Sequence, residues 1–203
     1  MLAVIDYGAG NIGSVLNMIK KAGGQAIASA NIYDLENASK LLLPGVGSFD
    51  NAMNKLEQLE FVDVIKEKVK SGTPILGICL GMQLLSYGSE EGKKSGLGLI
   101  PGRVKHFQFN DKNESFRVPH MGWNQVAISK HHALTAGLEN DARFYFVHSY
   151  HYECEDRADE LFHTHYGCNF TSGIQHKNIM GVQFHPEKSH RFGMQLFKNF
   201  IGL

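Results

Sequence analysis

Short apolar runs alternate with amphipathic stretches through the first 80 residues of the chain. The runs lie at residues 2–6, 25–28, 40–43 and 74–78. Between them, in residues 12–19 and 61–69, apolar side chains recur at the three- and four-residue spacing of a helix. Strands that alternate with helices in this way form βαβ units. The pattern predicts a mostly parallel sheet whose faces are covered by helices.

The pattern changes near residue 102, where closely spaced β-prone runs replace the alternation. These runs lie at residues 103–109, 124–128, 144–147, 161–165, 172–175 and 179–184, with turn residues between them. Such spacing is typical of antiparallel hairpins. A last amphipathic helix is expected over residues 191–201. With no linker or internal repeat, residues 1–203 are expected to form one α/β domain.

Composition narrows the classes of partner. The chain of 203 residues carries 20 basic and 20 acidic residues, so no net field favours nucleic acid or an anionic membrane. No apolar run is long enough to span a bilayer, and the N-terminus lacks the features of a signal peptide. The three cysteines, Cys79, Cys154 and Cys168, are too few and odd in number for a disulfide framework. We expect a soluble, cytoplasmic protein.

The segment "VIDYGAGNIGS" at residues 4–14 matches the glycine pattern G-x-G-x-x-G of dinucleotide-binding loops. That motif also needs an acidic residue at the end of the second strand to bind the ribose. Here the second strand is expected to end near residues 28–30, and Asp34 comes only after it. A dinucleotide-binding module or oxidoreductase is therefore an alternative with weak support.

A candidate nucleophile lies in "TPILGICLGMQLL", residues 73–85, where an apolar strand turns into a helix. Cys79 stands between Gly77 and Gly81, as in the cysteine form of a nucleophile elbow. The turn would expose the thiol at the carboxyl edge of the sheet, beside the Leu80 N–H at a helix N-terminus that favours the thiolate. The alternative is a cysteine that merely packs in the core.

A base for this nucleophile is found near the C-terminus, in "GVQFHPEKS" at residues 181–189. On an extended segment, His185 and Glu187 face the same side. One imidazole nitrogen could take the Cys79 proton while Glu187 orients the other, as in a catalytic triad. Such a pair is common on protein surfaces, so it gains weight only together with the elbow.

The histidines and cysteines of residues 154–168 invite a metal interpretation. Cys154, His163, His165 and Cys168 lack a C-x-x-C pair and the usual spacing of a structural zinc site. We expect neither a metal nor a cofactor.

Five segments together resemble a known family. They are "LLLPGVGSF", "LGICLGMQLL", "PHMGWN", "YFVHSY" and "GVQFHPEKS". In order along nearly the whole chain, they are similar to class I (triad) glutamine amidotransferases, and most closely to the glutaminase subunits of imidazole glycerol phosphate synthases. The resemblance implies a single, flavodoxin-like type 1 amidotransferase domain. Cys79 would attack the side-chain amide of glutamine, His185 would act as base and then acid, and Glu187 would orient it.

The resemblance also implies the rest of the site. The oxyanion would be held by the N–H groups of Leu80 and Val46, the latter once its peptide is correctly turned. The glutamine substrate would be bound by six residues: Gly45, Gly47, Gln83, Glu91, Ser149 and Tyr150. From the residues alone, Gln83 could equally be a solvated helix residue and Glu91 an ordinary loop charge.

In the family, the glutaminase forms a heterodimer with a (βα)₈-barrel cyclase or synthase subunit, into which the ammonia passes. The resemblance implies that Asn11 and Trp123 lie at this interface, although Trp123 could also be a core residue at a turn. It further implies poor glutamine hydrolysis by the isolated chain. Two alternatives stay open: a paralogue that feeds a synthase of an amidino sugar for surface polysaccharide, and a catalytically silent interaction subunit.

Overall fold

A computed structural model describes residues 1–109, 116–138 and 141–203 of the chain. The strands are β1 (Leu2–Ile5), β2 (Ala26–Ser29), β3 (Lys40–Gly45), β4 (Ile75–Cys79), β5 (Gly102–His106), β6 (His120–Gln125), β7 (Ala127–Ile128), β8 (Arg143–His148), β9 (Tyr150–Cys154), β10 (Glu160–Tyr166), β11 (Cys168–His176) and β12 (Ile179–Val182). The α-helices are α1 (Ile12–Lys21), α2 (Ile32–Glu36), α3 (Phe49–Gln58), α4 (Phe61–Lys70), α5 (Leu80–Leu84) and α6 (His190–Gly202). Short 3₁₀ turns occur at Ala133–Thr135, Arg157–Asp159 and Pro186–Lys188.

The main sheet begins with five parallel strands in the order β2-β1-β3-β4-β12. Counting β12 as the fifth parallel strand, this is the flavodoxin-like order 2-1-3-4-5, in which ligands bind beyond the carboxyl ends of the strands. The register pairs Gly45 at the end of β3 with Cys79 at the end of β4. The expected parallel sheet is confirmed, and its carboxyl edge brings together the loops after β1, β3 and β4.

The hairpins of the second half are antiparallel, with three differences from the sequence pattern. Strand β12 is antiparallel to β11 but parallel to β4, so it joins the two parts of the sheet. The run expected at residues 124–128 is divided between β6, which pairs with β8 in a separate two-stranded sheet, and β7, which pairs with β10. Strand β9 was not expected, because the run recognised in this part of the chain covers only residues 144–147, whereas β9 begins at Tyr150 after a break at Ser149.

Both faces of the parallel sheet are buried, which explains its nearly continuous apolar strands. Alternate residues of each strand point to opposite faces. Val4 and Leu42 pack in the cluster that contains α1 and α6, whereas Leu41 and Leu43 pack in the cluster formed with α2, α3 and α4. Within the described residues, none of the helices has the length and apolar content that crossing a bilayer requires.

Candidate active site

The backbone at Cys79 forms a strained elbow between β4 and α5. Cys79 has φ 53° and ψ −110°, a conformation that side chains rarely adopt. The flanking glycines are required by close approach: a Cβ on Gly81 would lie 1.8 Å from the Leu43 carbonyl oxygen, and one on Gly77 would lie 2.6 Å from the Gly81 carbonyl oxygen. The spacing seen in the sequence therefore has the steric cause expected of a nucleophile elbow.

His185 and Glu187 form a buried pair beside this elbow. Nδ1 of His185 donates to Oε1 of Glu187 at 2.8 Å, and the two side chains are only 2% and 3% exposed. Nε2 of His185 has no hydrogen-bond partner at ordinary distance among the residues that the structure describes. Burial lowers the pKa of His185, but interactions with the Cys79 sulfur and the Glu187 carboxylate outweigh it and raise the pKa to about 10. The protonated imidazole is thus stabilised opposite the sulfur.

The backbone of His185 is fixed by strand β8. The His185 N–H donates to the Tyr145 carbonyl at 2.8 Å. The Ser189 hydroxyl donates to the His185 carbonyl at 2.6 Å and accepts from the Tyr145 N–H at 3.0 Å. These bonds link His185 to the sheet formed by β6 and β8.

The segment expected to supply the second oxyanion donor follows β3. The Tyr7 hydroxyl donates to the Pro44 carbonyl at 2.8 Å, and burial together with the Cys79 sulfur raises the pKa of Tyr7, which keeps the phenol protonated. A Cβ on Gly45 would lie 2.5 Å from the Tyr7 oxygen, so this position accommodates only glycine. Gly47 has φ +106° with open space around it. Val46 therefore lies between a tightly packed glycine and one with open space around it, and the turning of its peptide stays a prediction.

A cavity of about 340 Å³ opens in front of Cys79. This volume is in the lower range of small-ligand pockets. It contains nearly all the residues expected at the catalytic and substrate sites, together with Pro119, Val147 and His148. The full lining consists of Val46, Gly47, Cys79, Leu80, Gln83, Glu91, Pro119, Val147, His148, Ser149, Tyr150 and His185. Gly45 and Glu187 lie behind this lining, where they contact Tyr7 and His185, respectively.

Gln83 and Glu91 both make hydrogen bonds within the protein. Gln83 is buried rather than solvated, and its Nε2 donates to the Tyr150 carbonyl at 3.2 Å and to Oε1 of Gln183 at 3.0 Å. Since both its N–H groups are used, only its carbonyl oxygen is left for a ligand. Oε2 of Glu91 accepts from the Phe49 N–H at 2.9 Å, at the N-terminus of α3. Glu91 thus connects the cavity to the end of the segment that carries Val46.

The glycine-rich loop at residues 8–10 packs beside the same segment. A Cβ on Gly10 would lie 3.1 Å from the Cβ of Pro44. Asn11 is exposed and caps α1, with its side chain accepting from the Ser14 N–H at 3.2 Å. Asp34 lies in α2 and accepts a hydrogen bond from the Ser29 hydroxyl at 2.6 Å. Asp34, the acidic residue considered for a dinucleotide site, is thus engaged with Ser29. The glycine-rich loop instead contacts Pro44 in the segment that carries Val46.

Trp123 is not a core residue. It lies on β6, is 49% exposed and stacks on His190 with the rings 5.4 Å apart. Met121 on the same strand is 62% exposed, and Val46 and Val118 are also exposed. Of this apolar rim, Val46 lines the cavity and Val118 precedes Pro119, which also lines it.

Several buried polar residues around the site were missed by the sequence reasoning. His120 and His148 form a hydrogen-bonded pair, and Gln183 donates to the Cys79 sulfur. The only sequence signal for Gln183 is its place as an amide inside the apolar run of residues 179–184. For the two other cysteines, burial raises the pKa of Cys154 to about 12 and also raises that of Cys168. Within the described residues, no cluster of three or more His, Cys, Asp or Glu side chains is arranged to hold a metal.

Comparisons with known proteins agree with this geometry. The family model of class I glutamine amidotransferases matches residues 3–202. The chain is 50% identical to imidazole glycerol phosphate synthase subunit HisH 2 of Methanococcus maripaludis, over 99% of this chain and 98% of that protein. It is also 50% identical to subunit HisH 2 of Pseudomonas aeruginosa over 100% of both chains, and 47% identical to subunit HisH of Sulfurimonas denitrificans over 98% and 97%.

Solved structures extend the likeness to the fold. A glutamine amidotransferase superimposes with a TM-score of 0.75 over 99% of both chains at 16% identity. A chain of PurLQS from Thermotoga maritima gives a TM-score of 0.70 over 99% of this chain and 97% of that one, at 17% identity. At these identities the superpositions establish the architecture alone.

Proposed function

The chain belongs to the class I glutamine amidotransferase family, and we propose that it is the glutaminase subunit of an imidazole glycerol phosphate synthase in histidine biosynthesis. The observation that carries this function is the buried pair of His185 and Glu187 beside Cys79 at a strained elbow, where Cys79 and His185 line a ligand-sized cavity. The names of the relatives favour this synthase over an enzyme that modifies a sugar. Residues 1–203 would act together as one amidotransferase domain.

The first half of the reaction forms a thioester. His185 takes the Cys79 proton at Nε2, and the sulfur attacks the side-chain carbonyl carbon of glutamine. The negative oxygen that develops is stabilised by the N–H groups of Leu80 and Val46. The imidazolium, whose charge is supported by Glu187, then donates its proton to the leaving nitrogen. The C–N bond breaks and ammonia leaves.

The second half restores the enzyme. His185, now neutral, takes a proton from water, and the resulting hydroxide attacks the thioester carbonyl. The same two N–H groups hold the oxygen, the C–S bond breaks, and glutamate leaves as Cys79 regains its proton. Glu91 and the carbonyl oxygen of Gln83 are suited to the α-ammonium group of the substrate, because both are acceptors that line the cavity. Gly47, Ser149 and Tyr150 complete the substrate site.

The partner would be a (βα)₈-barrel synthase subunit that joins this chain in a cytoplasmic heterodimer. The exposed apolar rim of Val46, Val118, Met121 and Trp123 supports a docked protein, because exposed apolar side chains of this kind mark interaction surfaces. Trp123 and Asn11 would contact the barrel, and ammonia would pass from the cavity into it without reaching bulk water. No cofactor is needed for this chemistry.

The structure supports a dependence of glutaminase activity on the partner. The oxyanion segment is contacted by the loop that precedes Asn11, and His185 is bonded to strand β8 of the sheet that carries Trp123. A protein docked on both Asn11 and Trp123 would affect the positions of the oxyanion donor and of the base together. The isolated chain would therefore hydrolyse glutamine slowly, and addition of the barrel subunit would raise its turnover.

The test is to purify the chain with a barrel synthase and measure product formation from glutamine and from ammonia. Cys79→Ala should abolish the glutamine-dependent reaction and leave the ammonia-dependent reaction intact. Loss of both reactions, or of neither, would contradict the assignment. Complementation of a histidine auxotroph that lacks this subunit tests the pathway, since a sugar-modifying paralogue would fail to restore growth.

A further inference from the structure

Gln183 is a buried polar residue that the reaction above leaves without a role. It follows β12, two residues before His185, and its side chain is 0% exposed. Its Nε2 lies 3.6 Å from the Cys79 sulfur, within hydrogen-bond range for sulfur. Its backbone N–H is bonded to the Ser172 carbonyl at 2.9 Å, which fixes the origin of the side chain. The nucleophile thus has an amide neighbour in addition to His185.

The orientation of this amide is determined by its neighbours. The Tyr150 backbone carbonyl can only accept a hydrogen bond, so Gln83 must turn its NH₂ group towards it, at 3.2 Å. The same NH₂ group lies 3.0 Å from Gln183, which must therefore present its Oε1. The remaining end of the Gln183 amide, the NH₂ group, faces the sulfur. Cys79 consequently meets a donor and not an acceptor.

A chain of histidines fixes the Tyr150 carbonyl in turn. Nδ1 of His148 donates to the Tyr150 carbonyl at 2.7 Å, so Nε2 of His148 must be an acceptor. Nδ1 of His120 donates to this Nε2 at 2.9 Å. Nε2 of His120 is then an acceptor for the side-chain NH₂ group of Asn124, at 3.2 Å. Burial lowers the pKa of His120 to about 4 and that of His148 to about 3, so both rings are neutral at neutral pH. Every bond in the chain has one allowed direction.

We propose that Gln183 is a positioning residue for the nucleophile: the amide N–H of Gln183 holds the Cys79 sulfur and stabilises the thiolate. The series of hydrogen bonds that runs from Asn124 to Gln83 sets the orientation of the Gln183 amide. A hydrogen bond to an ionised acceptor is stronger than a neutral one, and exclusion of water strengthens it further. The sulfur is thereby held between the Gln183 amide and the imidazole of His185. The proposal deepens the glutaminase function proposed above and rests on it for its kinetic consequence.

The test measures the thiolate directly and needs no substrate. In Gln183→Met the side chain keeps its length and loses its donor. The rate of Cys79 alkylation by iodoacetamide is followed from pH 5 to 10 by mass spectrometry of the Cys79 peptide, which separates it from Cys154 and Cys168. We expect the pH midpoint of alkylation to rise by about one unit and the rate at pH 7 to fall about tenfold, because a hydrogen bond to a charged group has that magnitude.

The matched control is Gln175→Met, which removes an amide that donates to the Lys177 carbonyl at 2.7 Å. It should leave the midpoint unchanged. Circular dichroism verifies folding, and Gln183→Glu, of the same shape, serves where methionine prevents folding; its carboxylate should raise the midpoint further. An unchanged midpoint in either folded variant overturns the proposal. If the midpoint rises in Gln183→Met but the wild-type chain shows no glutaminase activity even with a synthase, the result supports the role of Gln183 and rejects the proposed function.

Discussion

The strain at Cys79 can be measured by comparing two variants that both lack the sulfur. Residue 79 has φ 53° and ψ −110°, where a Cβ is unfavourable and glycine is not. Such strained backbone costs about 1–3 kcal/mol. Replacement of alanine by glycine also gives the unfolded chain more freedom, which costs about 0.5–1 kcal/mol. The difference predicts that Cys79→Gly is more stable than Cys79→Ala by about 1 kcal/mol.

The assay is urea unfolding of the two variants at pH 7, with thermal unfolding as a second measure. For a chain of 203 residues, 1 kcal/mol corresponds to a Tm difference of about 2–4 °C. The matched control is Ala3→Gly in β1, a fully buried position with ordinary strand geometry. There the same change should destabilise the protein by about 1 kcal/mol. If Cys79→Gly is equal to or less stable than Cys79→Ala, the elbow holds no strain and this reasoning is wrong.

Two further predictions concern the partner surface and the buried histidines. Asn11→Ala removes the N-cap of α1, and Asn31→Ala removes the N-cap of α2. Each variant should be less stable than the wild type by about 1 kcal/mol. Only Asn11→Ala should reduce the glutaminase activity of the complex with the synthase. If Asn11→Ala and Asn31→Ala lose the same activity, Asn11 acts only as a helix cap. Burial lowers the pKa of His120 from 6.5 to about 4, so the unfolded chain binds the proton more readily than the folded one. The stability associated with neutral, buried His120 is therefore fully present above pH 6.5 and falls by about 3 kcal/mol as the pH approaches 4. Between pH 7 and pH 4, urea unfolding should show a loss of stability that is about 3 kcal/mol smaller in His120→Phe than in the wild type, and equal pH dependence in the two proteins would refute it.

The parts of the site that the sequence predicted are those with local causes. The elbow depends on Gly77 and Gly81, which stand two residues from Cys79, and the pairing of His185 with Glu187 depends on a two-residue spacing. The parallel strands were recognised because both their faces are buried, which leaves an unbroken apolar run. In each case the physical requirement and the residues that meet it lie within one turn or one strand.

The parts that the sequence did not predict depend on contacts between distant segments. Gln83 and Gln183 are 100 residues apart, and His120 and His148 are 28 apart. Nothing in the local pattern distinguishes a glutamine that faces solvent from one that faces another buried amide. Glu91, similarly, is a loop charge in the sequence and a cap of the helix at Phe49 in the structure.

These distant contacts have one property in common, which bears on how a partner could control the reaction. The Cys79 sulfur, the segment that carries Val46, and His185 are each held through a backbone carbonyl, of Tyr150, Pro44 and Tyr145, respectively. A carbonyl accepts a hydrogen bond whatever side chain its residue carries, so the positions of these groups depend on where the backbone runs. Tyr145 is paired with Trp123 in the two-stranded sheet of β6 and β8, and Trp123 is exposed. In the proposed complex, a synthase seated on Trp123 would therefore reach His185 by shifting strand β8, with no need for a contact to any catalytic side chain.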